Sequence, residues 1–320
     1  ANAKPARMTA IAPIESSTLQ LAASFLRKGG LVAMPTETVY GLACDASNPD
    51  AVARLYAAKG RPSFNPLIAH VASLEMAQAE AVFCDAAFKL AHAFWPGPLT
   101  LVLPVASTGT VCDLARSGLD TIALRMPAHP GARSLIAGFG RPVVAPSANR
   151  SGHISPTLAE HVKADLDGKV DLILDGGPCT QGIESTIVSF IGDQPTLLRA
   201  GTVETSALEA VLGTSLARAD EGDGISAPGQ LKSHYAPNAR LRLNASAPEA
   251  GEAWLGFGPD EANGLNLSPS GNLTEAAANL FAMLRQLDAE ADRIAVAHIP
   301  NEGLGEAISD RLARAAHRDD

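Results

Sequence analysis

The sequence predicts an α/β or α+β domain built on a sizeable sheet, followed by a smaller α/β domain. Short β-rich runs alternate with helical runs up to about residue 212, and residues 213–238 are rich in Gly, Ala, Ser and Asp with almost no hydrophobic period. The α/β pattern then resumes, and a length of 320 residues with 46% hydrophobic content favours two domains. The predicted organisation is a domain over 9–212, a linker over 213–238 and a second domain over 239–320.

The alternation is visible run by run. In the first domain, strands are predicted in LVAMPTE, PLIAHV, LTLVLPV, TIALRMP, PVVAPSA, DLILDGG, STIVSF and PTLLRAG, and helices in PDAVARLYAAKG, SLEMAQAEAVF and AAFKLAHAFWPG. In the second, strands are predicted in RLRLN, AWLGFG and RIAVAHIP, and helices in NLTEAAANLFAMLRQLDAEAD and GLGEAISDRLARAA. One face of the first of these helices is predicted to pack on a sheet, because i, i+3, i+4 spacing relates Leu273, Ala276, Ala277, Leu280, Phe281, Leu284 and Leu287.

Charge is unevenly distributed along the chain. The net charge is −9; up to Leu212 there are 16 Lys and Arg against 18 Asp and Glu, and after it 9 against 16. The sequence has no basic stripe of the kind that binds nucleic acid through counterion release, so no stable nucleic-acid complex is expected. No run approaches the roughly 20 apolar residues that span a bilayer, and the first residues lack an apolar signal core. A cytoplasmic protein without a membrane partner is predicted.

The cysteines and glycines exclude several familiar sites. Cys44, Cys84, Cys112 and Cys179 lie far apart, without a CxxC pair or a histidine cluster at metal-ligand spacing. Buried reduced thiols and no metal site are therefore predicted. The sequence also lacks GxGxxG and GxxxxGK followed by Ser or Thr, so neither a dinucleotide fingerprint nor a P-loop is predicted.

A turn after one predicted helix gathers two cations. In PDAVARLYAAKGRP the helix is expected to begin near Pro49 with Asn48 as its cap, and to stop at Gly60, the residue type favoured just past a helix C-terminus. Lys59 and Arg61 flank that end. Cations there either complement the helix dipole at the surface, which contributes up to about 1 kcal/mol, or recognise an anion.

The rest of this turn favours recognition of an anion. Pro62 and Pro66 stiffen the chain, Asn65 adds an amide, and His70 follows within one strand. A rigid turn of this composition suits donors held in fixed positions.

Further polar side chains follow other predicted strands. In VVAPSANRSGHISPT, a turn after a buried strand carries Ser147, Asn149 and Ser155, whose hydroxyl and amide groups can bind phosphate oxygens. In GIESTIVSF and PTLLRAG, Ser185 lies at a strand start and Arg199 at a strand end.

TIALRMP ends an otherwise apolar strand on Arg125. An arginine in that position either forms a buried structural ion pair or binds an anionic ligand, and the sequence leaves both alternatives open.

In order and spacing, these motifs resemble the Sua5/YrdC family. The resemblance rests on PTETVYGL, KGRPSFNPLIAHV, FWPGPLTLVL, TIALRMP, APSANRSGHISPT, GIESTIV and LLRAG. The APGQLKSHYAP linker and the α/β unit after it are similar to the longer Sua5 form. The resemblance implies an N-terminal YrdC-like twisted mixed sheet with flanking helices, and a smaller C-terminal Rossmann-like Sua5 module.

The resemblance also implies a nucleotidyltransferase activity. Such an enzyme converts L-threonine, bicarbonate or CO2, and ATP into L-threonylcarbamoyladenylate, pyrophosphate and water, the first step of t6A formation in tRNA. Mg²⁺ would accompany the ATP, and a threonylcarbamoyl-transferase machinery would use the product.

Roles of individual residues carry over from the family motifs. The triphosphate would be held by a catalytic set of Lys59, Arg61, Ser147 and Asn149. Further ATP contacts would come from Asn65, Thr121, Ser155, Arg199, His234 and Tyr235, and the segment with the last two would fold over the nucleotide. The threonine pocket would be formed by Thr38, His70, Arg125 and Ser185, with Arg125 on the carboxylate.

This chemistry requires positioning and charge neutralisation more than proton transfer by a pair of acids. The only acids inside the matched motifs are Glu37 and Glu184. Both are predicted to be structural partners of backbone groups or cations.

Two other functions share features with these motifs. A carbamoyl-adenylate site of the same kind occurs in carbamoyltransferases related to hydrogenase maturation factors, but those carry zinc-finger or kinase-like modules that this sequence lacks. An RNA-binding role is the second alternative, and the acidic charge balance argues against it.

Overall fold

The computed structural model describes residues 8–62, 65–219, 227–228 and 235–317. These residues form an eleven-stranded sheet with flanking helices and a separate four-stranded sheet. The first domain holds β1 (Ile11–Pro13), α1 (Ser16–Arg27), β2 (Val32–Met34), β3 (Gly41–Asp45), α2 (Pro49–Lys59), β4 (Ile68–His70), α3 (Leu74–Glu80), α4 (Asp85–Phe94), β5 (Leu99–Pro104), β6 (Thr121–Arg125), α5 (Pro130–Phe139), β7 (Val143–Val144), α6 (Ala159–Leu166), β8 (Leu172–Asp175), β9 (Thr186–Ser189), β10 (Thr196–Arg199), α7 (Thr205–Leu212) and β11 (Ala217–Arg218). The second holds β12 (Arg240–Ala245), β13 (Ala253–Gly256), β14 (Leu265–Asn266), α8 (Leu273–Glu290), β15 (Arg293–Ala297) and α9 (Leu304–Ala316).

Every strand and helix that the sequence predicted is present. The sequence analysis did not anticipate β1, α1, β3, α5, α6, α7, β11 or β14. β11 and β14 are two residues long and are defined by pairing with β10 and β13, so no hydrophobic period marks them. β11 lies inside the predicted linker over 213–238 and extends the first sheet into it.

The large sheet is mixed, as the family resemblance implied. Its strand order is β1-β8-β2-β3-β7-β4-β6-β5-β9-β10-β11. β4 and β6 are parallel, so His70 and Arg125 pair at the carboxyl ends of adjacent strands. Since side chains alternate along a strand, both point to the face that carries Ile68 and Ala123. We call this the site face.

The site face and its opposite differ in what covers them. The opposite face packs into the main hydrophobic core, which includes Ala69, Leu101 and Leu124 from the central strands. On the site face, the central apolar residues form a small cluster that Ala227 joins: Ile68, Val102, Ala123 and Ile187. The central part of this face is therefore largely free of helices and is covered by a residue of the segment between the domains.

The second domain is a parallel α/β unit. Its strand order is β12-β15-β13-β14, and all three pairings are parallel, consistent with the predicted Rossmann-like module. The predicted apolar face of α8 is confirmed, since six of its seven residues are buried and Leu273 is partly buried.

The two domains share a hydrophobic cluster. Ile154 and Ile183 of the first domain pack with Leu280 and Phe281 of α8. Gly182 allows the close approach: it has φ +75°, and a Cβ added there would lie 2.4 Å from the backbone oxygen of Ala277.

Two simpler expectations have mixed outcomes. All four cysteines are free; Cys44 and Cys179 are buried, but Cys84 is exposed because it precedes α4 at the surface, so the prediction that every thiol is buried was wrong. In the described part of the chain, no helix is long and apolar enough to cross a membrane.

Candidate functional site

The helix before the cationic turn has the predicted bounds. The Asn48 side chain accepts hydrogen bonds from the N–H groups of Asp50 and Ala51, which caps α2. Gly60 ends the helix with φ +61°, a conformation that glycine adopts without strain. The turn therefore leaves α2 at a fixed angle.

Lys59 and Arg61 are both buried, with exposed fractions of 3% and 7%. The alternative of surface cations beside a helix dipole is therefore excluded. The Lys59 ammonium donates to the backbone oxygens of Ser147 and Asn149 and so ties α2 to the loop after β7. Burial, reinforced by the nearby Arg61 charge, holds the pKa of Lys59 well below its usual value.

Arg61 reaches across its own turn. Its Nη2 donates to the backbone oxygens of Asn65 and Pro66, at 3.4 and 3.2 Å. Burial lowers the pKa of Arg61 to about 10, so the guanidinium stays charged at neutral pH. The turn is thus a rigid hydrogen-bonded unit that presents a cation.

Arg125 forms the buried ion pair that was one of the two alternatives left open by the sequence. Its Nη2 forms a 2.5 Å ion pair with Glu37, while Nη1 donates to the Thr38 hydroxyl at 2.9 Å and Nε to the Gly97 oxygen at 3.3 Å. Burial alone would raise the pKa of Glu37, but Arg125 brings it below its usual value. Three of the five guanidinium N–H groups are engaged, which leaves two for a ligand.

His70 lies beside Arg125 and is uncharged. Its Nδ1 is 3.1 Å from the backbone oxygen of Ile68. Burial, and then the Arg125 charge, lowers the pKa of His70 to about 3. The ring can therefore donate or accept a hydrogen bond, but at neutral pH it is a poor proton acceptor.

This neutral histidine predicts a pH effect on stability. Between about pH 3 and 6.5 the unfolded chain binds a proton that folded His70 does not, so the free energy of unfolding should decrease as pH falls through this window. We expect His70→Gln to flatten that decrease by up to about 1 kcal/mol per pH unit near pH 5. Urea unfolding at several pH values measures the slope. His92→Gln, at an exposed position on α4, is the control; equal slopes for both variants and the wild type would contradict the prediction.

A β-bulge directs Arg199 to the site. The register between β9 and β10 shifts by one residue between Leu197 and Arg199. Arg199 then donates through Nε and Nη2 to the Ser185 backbone oxygen, at 3.0 and 2.9 Å, and its Nη1 donates to the Pro228 oxygen at 3.3 Å. The Ser185 hydroxyl forms a hydrogen bond with the Thr100 hydroxyl, with 2.7 Å between the two oxygens.

The segment between the domains is described in part. Ala227 is buried on the site face, and Tyr235 is buried with its ring stacked on Phe281 at 5.6 Å between centroids. The guanidinium of Arg311 lies 5.5 Å from the same ring. His234 lies outside the described residues.

The structure brings most of the predicted residues around one pocket. Eight predicted site residues line it: Thr38, Arg61, His70, Arg125, Ser147, Ser185, Arg199 and Tyr235. Predicted residues outside its lining are Lys59, Asn65, Thr121, Asn149 and Ser155. We call this space the cation pocket.

The predicted residues outside the lining have identifiable positions. Lys59 donates to the backbone oxygens of Ser147 and Asn149, and the Asn65 backbone oxygen accepts a hydrogen bond from Arg61. Thr121 begins β6, at the opposite end of the strand from the pocket, but it shares the site face by alternation.

Other lining residues were not predicted as ligand contacts. Val39, Ala145 and Pro146 are neighbours of predicted residues within the same motifs, and that adjacency was the available signal. Glu184 also lines the pocket, and its carboxylate is paired with Arg311 of α9 at 3.0 Å. The structural role predicted for Glu37 and Glu184, as partners of cations, is thus confirmed.

Some polar atoms near the pocket lack partners. Among the described residues, the Arg61 Nε, the Asn65 Oδ1 and the Asn149 Oδ1 are buried without a hydrogen bond. A buried polar atom left unpaired costs about 1–3 kcal/mol, so such atoms commonly mark a functional site. All three belong to residues for which the family resemblance implies a contact with ATP.

The acids near the pocket bear on how Mg²⁺ could be held there. No group of three His, Cys, Asp or Glu residues is placed to hold a metal in the described ranges. The Glu184 carboxylate is engaged by Ser155 and Arg311. Mg²⁺ commonly binds through substrate phosphates and water with one or two carboxylates, so these residues are compatible with Mg²⁺ carried by a nucleotide.

Comparison with known families agrees with this geometry. The family model for Sua5, YciO and YrdC proteins, described as "Telomere recombination", matches residues 24–201. The chain belongs to the Sua5/YrdC family. A second model, described as "Threonylcarbamoyl-AMP synthase, C-terminal domain", matches residues 203–317, so the chain has both parts of the long Sua5 form.

Family members of similar length support the same assignment. The threonylcarbamoyl-AMP synthase of Bacillus subtilis is 40% identical over 92% of each chain, and that of Pyrococcus abyssi is 40% identical over 95% of each. The crystal structure of P. abyssi Sua5 complexed with L-threonine superposes with a TM-score of 0.89 at 38% identity, covering 96% of this chain and 98% of that one. The predicted family and two-domain fold are confirmed.

Proposed function

We propose that this chain is a threonylcarbamoyl-AMP synthase. It would join L-threonine, the carbon of bicarbonate or CO2, and the AMP part of ATP into L-threonylcarbamoyladenylate. Pyrophosphate would leave, together with water when bicarbonate supplies the carbon. Its Sua5 relatives carry this name over their full length. The product would supply the threonylcarbamoyl group of t6A to a downstream transferase, and we expect the enzyme to act in the cytoplasm, where ATP and tRNA are both present.

The observation that carries the proposal is the buried, polar set around the cation pocket. Arg61, Arg125 and Arg199 converge on a space in which the lining acid, Glu184, is already neutralised. Arg61, which lines this space, has a buried Nε without a hydrogen-bond partner. Such a site favours ligands that carry several negative charges and hydrogen-bond donors, as ATP does.

Threonine would bind at the end of the pocket that Arg125 occupies. Two free guanidinium N–H groups on a rigidly held arginine suit the two oxygens of a carboxylate. Neutral His70 is paired with Arg125 across β4 and β6, and the Ser185 hydroxyl also lines the pocket. Both can bond the amine or hydroxyl of threonine. Neither adds a negative charge near the carboxylate.

ATP would occupy the part of the pocket lined by Arg61, Ser147 and Arg199, and Arg199 would lie next to threonine because it is bonded to Ser185. Arginines neutralise phosphate oxygens, and the Ser147 hydroxyl can donate to them. Lys59 does not line the pocket, but its ammonium has a third N–H beyond the two that contact the Ser147 and Asn149 oxygens, and that N–H would be available to a phosphate.

The reaction needs little proton transfer from the protein. The lone pair of the neutral threonine amine attacks the carbon of CO2, and the nitrogen loses a proton to water. A carbamate oxygen then attacks the α-phosphorus, and the bond to the bridging oxygen breaks to release pyrophosphate. In the described site, Glu37 and Glu184 are engaged in ion pairs and His70 is a weak base. The residues therefore act by orientation and charge neutralisation.

Access to the pocket requires movement. Its free volume is about 50 Å³, room for a few water molecules and too little for ATP. Ala227 packs on the site face, and the Pro228 oxygen accepts a bond from Arg199. For ATP to bind, these two residues must withdraw, which is the behaviour of a lid.

Pyrophosphate release tests the proposal. We expect the protein to release pyrophosphate from ATP and bicarbonate only with L-threonine, and not with serine, valine or other amino acids. Mass spectrometry should detect threonylcarbamoyladenylate in the same reaction.

Other outcomes would contradict the proposal. Release without an amino acid, or with carbamoyl phosphate in place of bicarbonate, would indicate a carbamoyltransferase. No release, together with RNA binding that weakens steeply with salt, would indicate an RNA-binding role.

A further inference from the structure

A buried acid inside the cation pocket raises a physical problem. Glu184 is 7% exposed and lines the space assigned to ATP. An uncompensated carboxylate there would repel phosphate oxygens strongly, because a buried charge is poorly screened. One of its oxygens accepts a 2.5 Å hydrogen bond from Ser155, which orients the group without neutralising it.

The compensating cation comes from the second domain. Arg311 of α9 is 1% exposed, and its Nε donates to Glu184 at 3.0 Å. Its Nη1 donates to the Ala200 backbone oxygen at 2.7 Å and to Asp310 at 3.0 Å, and its guanidinium covers the ring of Tyr235. Arg311 thus contacts a pocket acid, the residue after Arg199 and the segment between the domains.

We propose that Arg311 is a positioning residue for ATP, through which the C-terminal domain completes the active site. By neutralising Glu184 it allows phosphates to approach, and by packing on Tyr235 it holds that ring at the pocket wall. It does not line the pocket itself. This inference deepens the proposed function and rests on the assignment of the pocket to ATP.

Neutralisation of Glu184 by Arg311 can be distinguished from a role of Arg311 only in holding the two domains together. Replacing one partner of a buried ion pair leaves the other charge unpaired, whereas replacing both by neutral groups is often tolerated. We therefore expect Arg311→Met to raise the KM and Kd for ATP by about tenfold or more, with a much smaller change in the KM for threonine. Adding Glu184→Gln should restore ATP binding most of the way to the wild-type value.

The experiment compares full-length variants by calorimetric binding of ATP alone and by steady-state pyrophosphate release. Arg218→Met is the matched control, because Arg218 of β11 also pairs with α9, through Glu306, but at an exposed position outside the pocket. It should leave ATP affinity unchanged. Thermal unfolding of every variant checks the fold.

The outcomes separate cleanly. If the double variant binds ATP as weakly as Arg311→Met, or if both arginine variants weaken ATP equally, the proposal is overturned. If Arg311→Met does not fold, Arg311→Lys is tested instead, because it keeps the charge. Near-normal ATP affinity of Arg311→Lys would support the proposal. An equal loss of affinity for ATP and for threonine in that variant would refute it. ATP binding without threonine-dependent turnover in the wild type would instead refute the proposed function and leave the role of Arg311 measurable.

Discussion

Arg61→Gln is expected to lower kcat/KM for ATP by about 10²–10³-fold, the usual cost of removing one preorganised donor from a charged transition state. Arg61 is buried, holds its own turn through two backbone oxygens and lines the cation pocket. Glutamine keeps an amide donor but loses the charge. The variant should therefore bind the triphosphate more weakly and stabilise the leaving pyrophosphate less. Pyrophosphate release at varied ATP concentration measures the effect.

The matched control for this change lies on the helix that precedes the turn. Arg54 of α2 is half exposed and pairs with Asp171 away from the pocket. Arg54→Gln should leave the kinetic constants for ATP close to those of the wild type. If Arg61→Gln folds normally and behaves as Arg54→Gln does, the turn after α2 does not bind the triphosphate.

Arg125→Lys should act on the other substrate. Three of the guanidinium N–H groups are engaged by Glu37, Thr38 and the Gly97 oxygen. A lysine at this position has three N–H donors at most, so its pairing with Glu37 would leave no planar fork for a carboxylate. We expect the KM for threonine to rise by about 10–100-fold, the value of a charged hydrogen bond, with little change in the KM for ATP.

Steady-state kinetics with each substrate varied in turn test this assignment. Arg141→Lys is the control, since Arg141 is half exposed, pairs with the buried Asp45 and does not line the pocket. An equal rise in both KM values for Arg125→Lys would indicate that Arg125 maintains the structure of the pocket and does not bind the threonine carboxylate.

Local sequence signals predicted the ends of α2 and the buried face of α8, although eight other elements were not anticipated. The bounds of α2 followed from Asn48 and Gly60, because a side-chain cap and a left-handed glycine act within one turn of the helix end. The apolar face of α8 followed from its period. Two-residue strands such as β11 were missed, since their existence depends on a neighbour and not on their own residues.

Burial was harder to predict than position. Lys59 and Arg61 looked compatible with a surface helix end, and only the packing of the 147–149 loop against α2 shows them to be buried. Cys84 shows the opposite error, because an apolar neighbourhood in sequence became an exposed helix start. Burial depends on what packs over a residue from elsewhere in the chain.

The sequence by itself determined the family, the two α/β parts and most residues of the pocket, because the motifs carry both chain turns and side-chain chemistry at fixed spacing. Only the tertiary structure decided how charges are shared in that pocket. Glu184 and Arg311 are 127 residues apart, and the Arg311 position is visible in sequence only as an arginine on the buried face of α9. An ion pair between two domains depends on how the domains pack, and no local sequence pattern shows which residues that packing brings together.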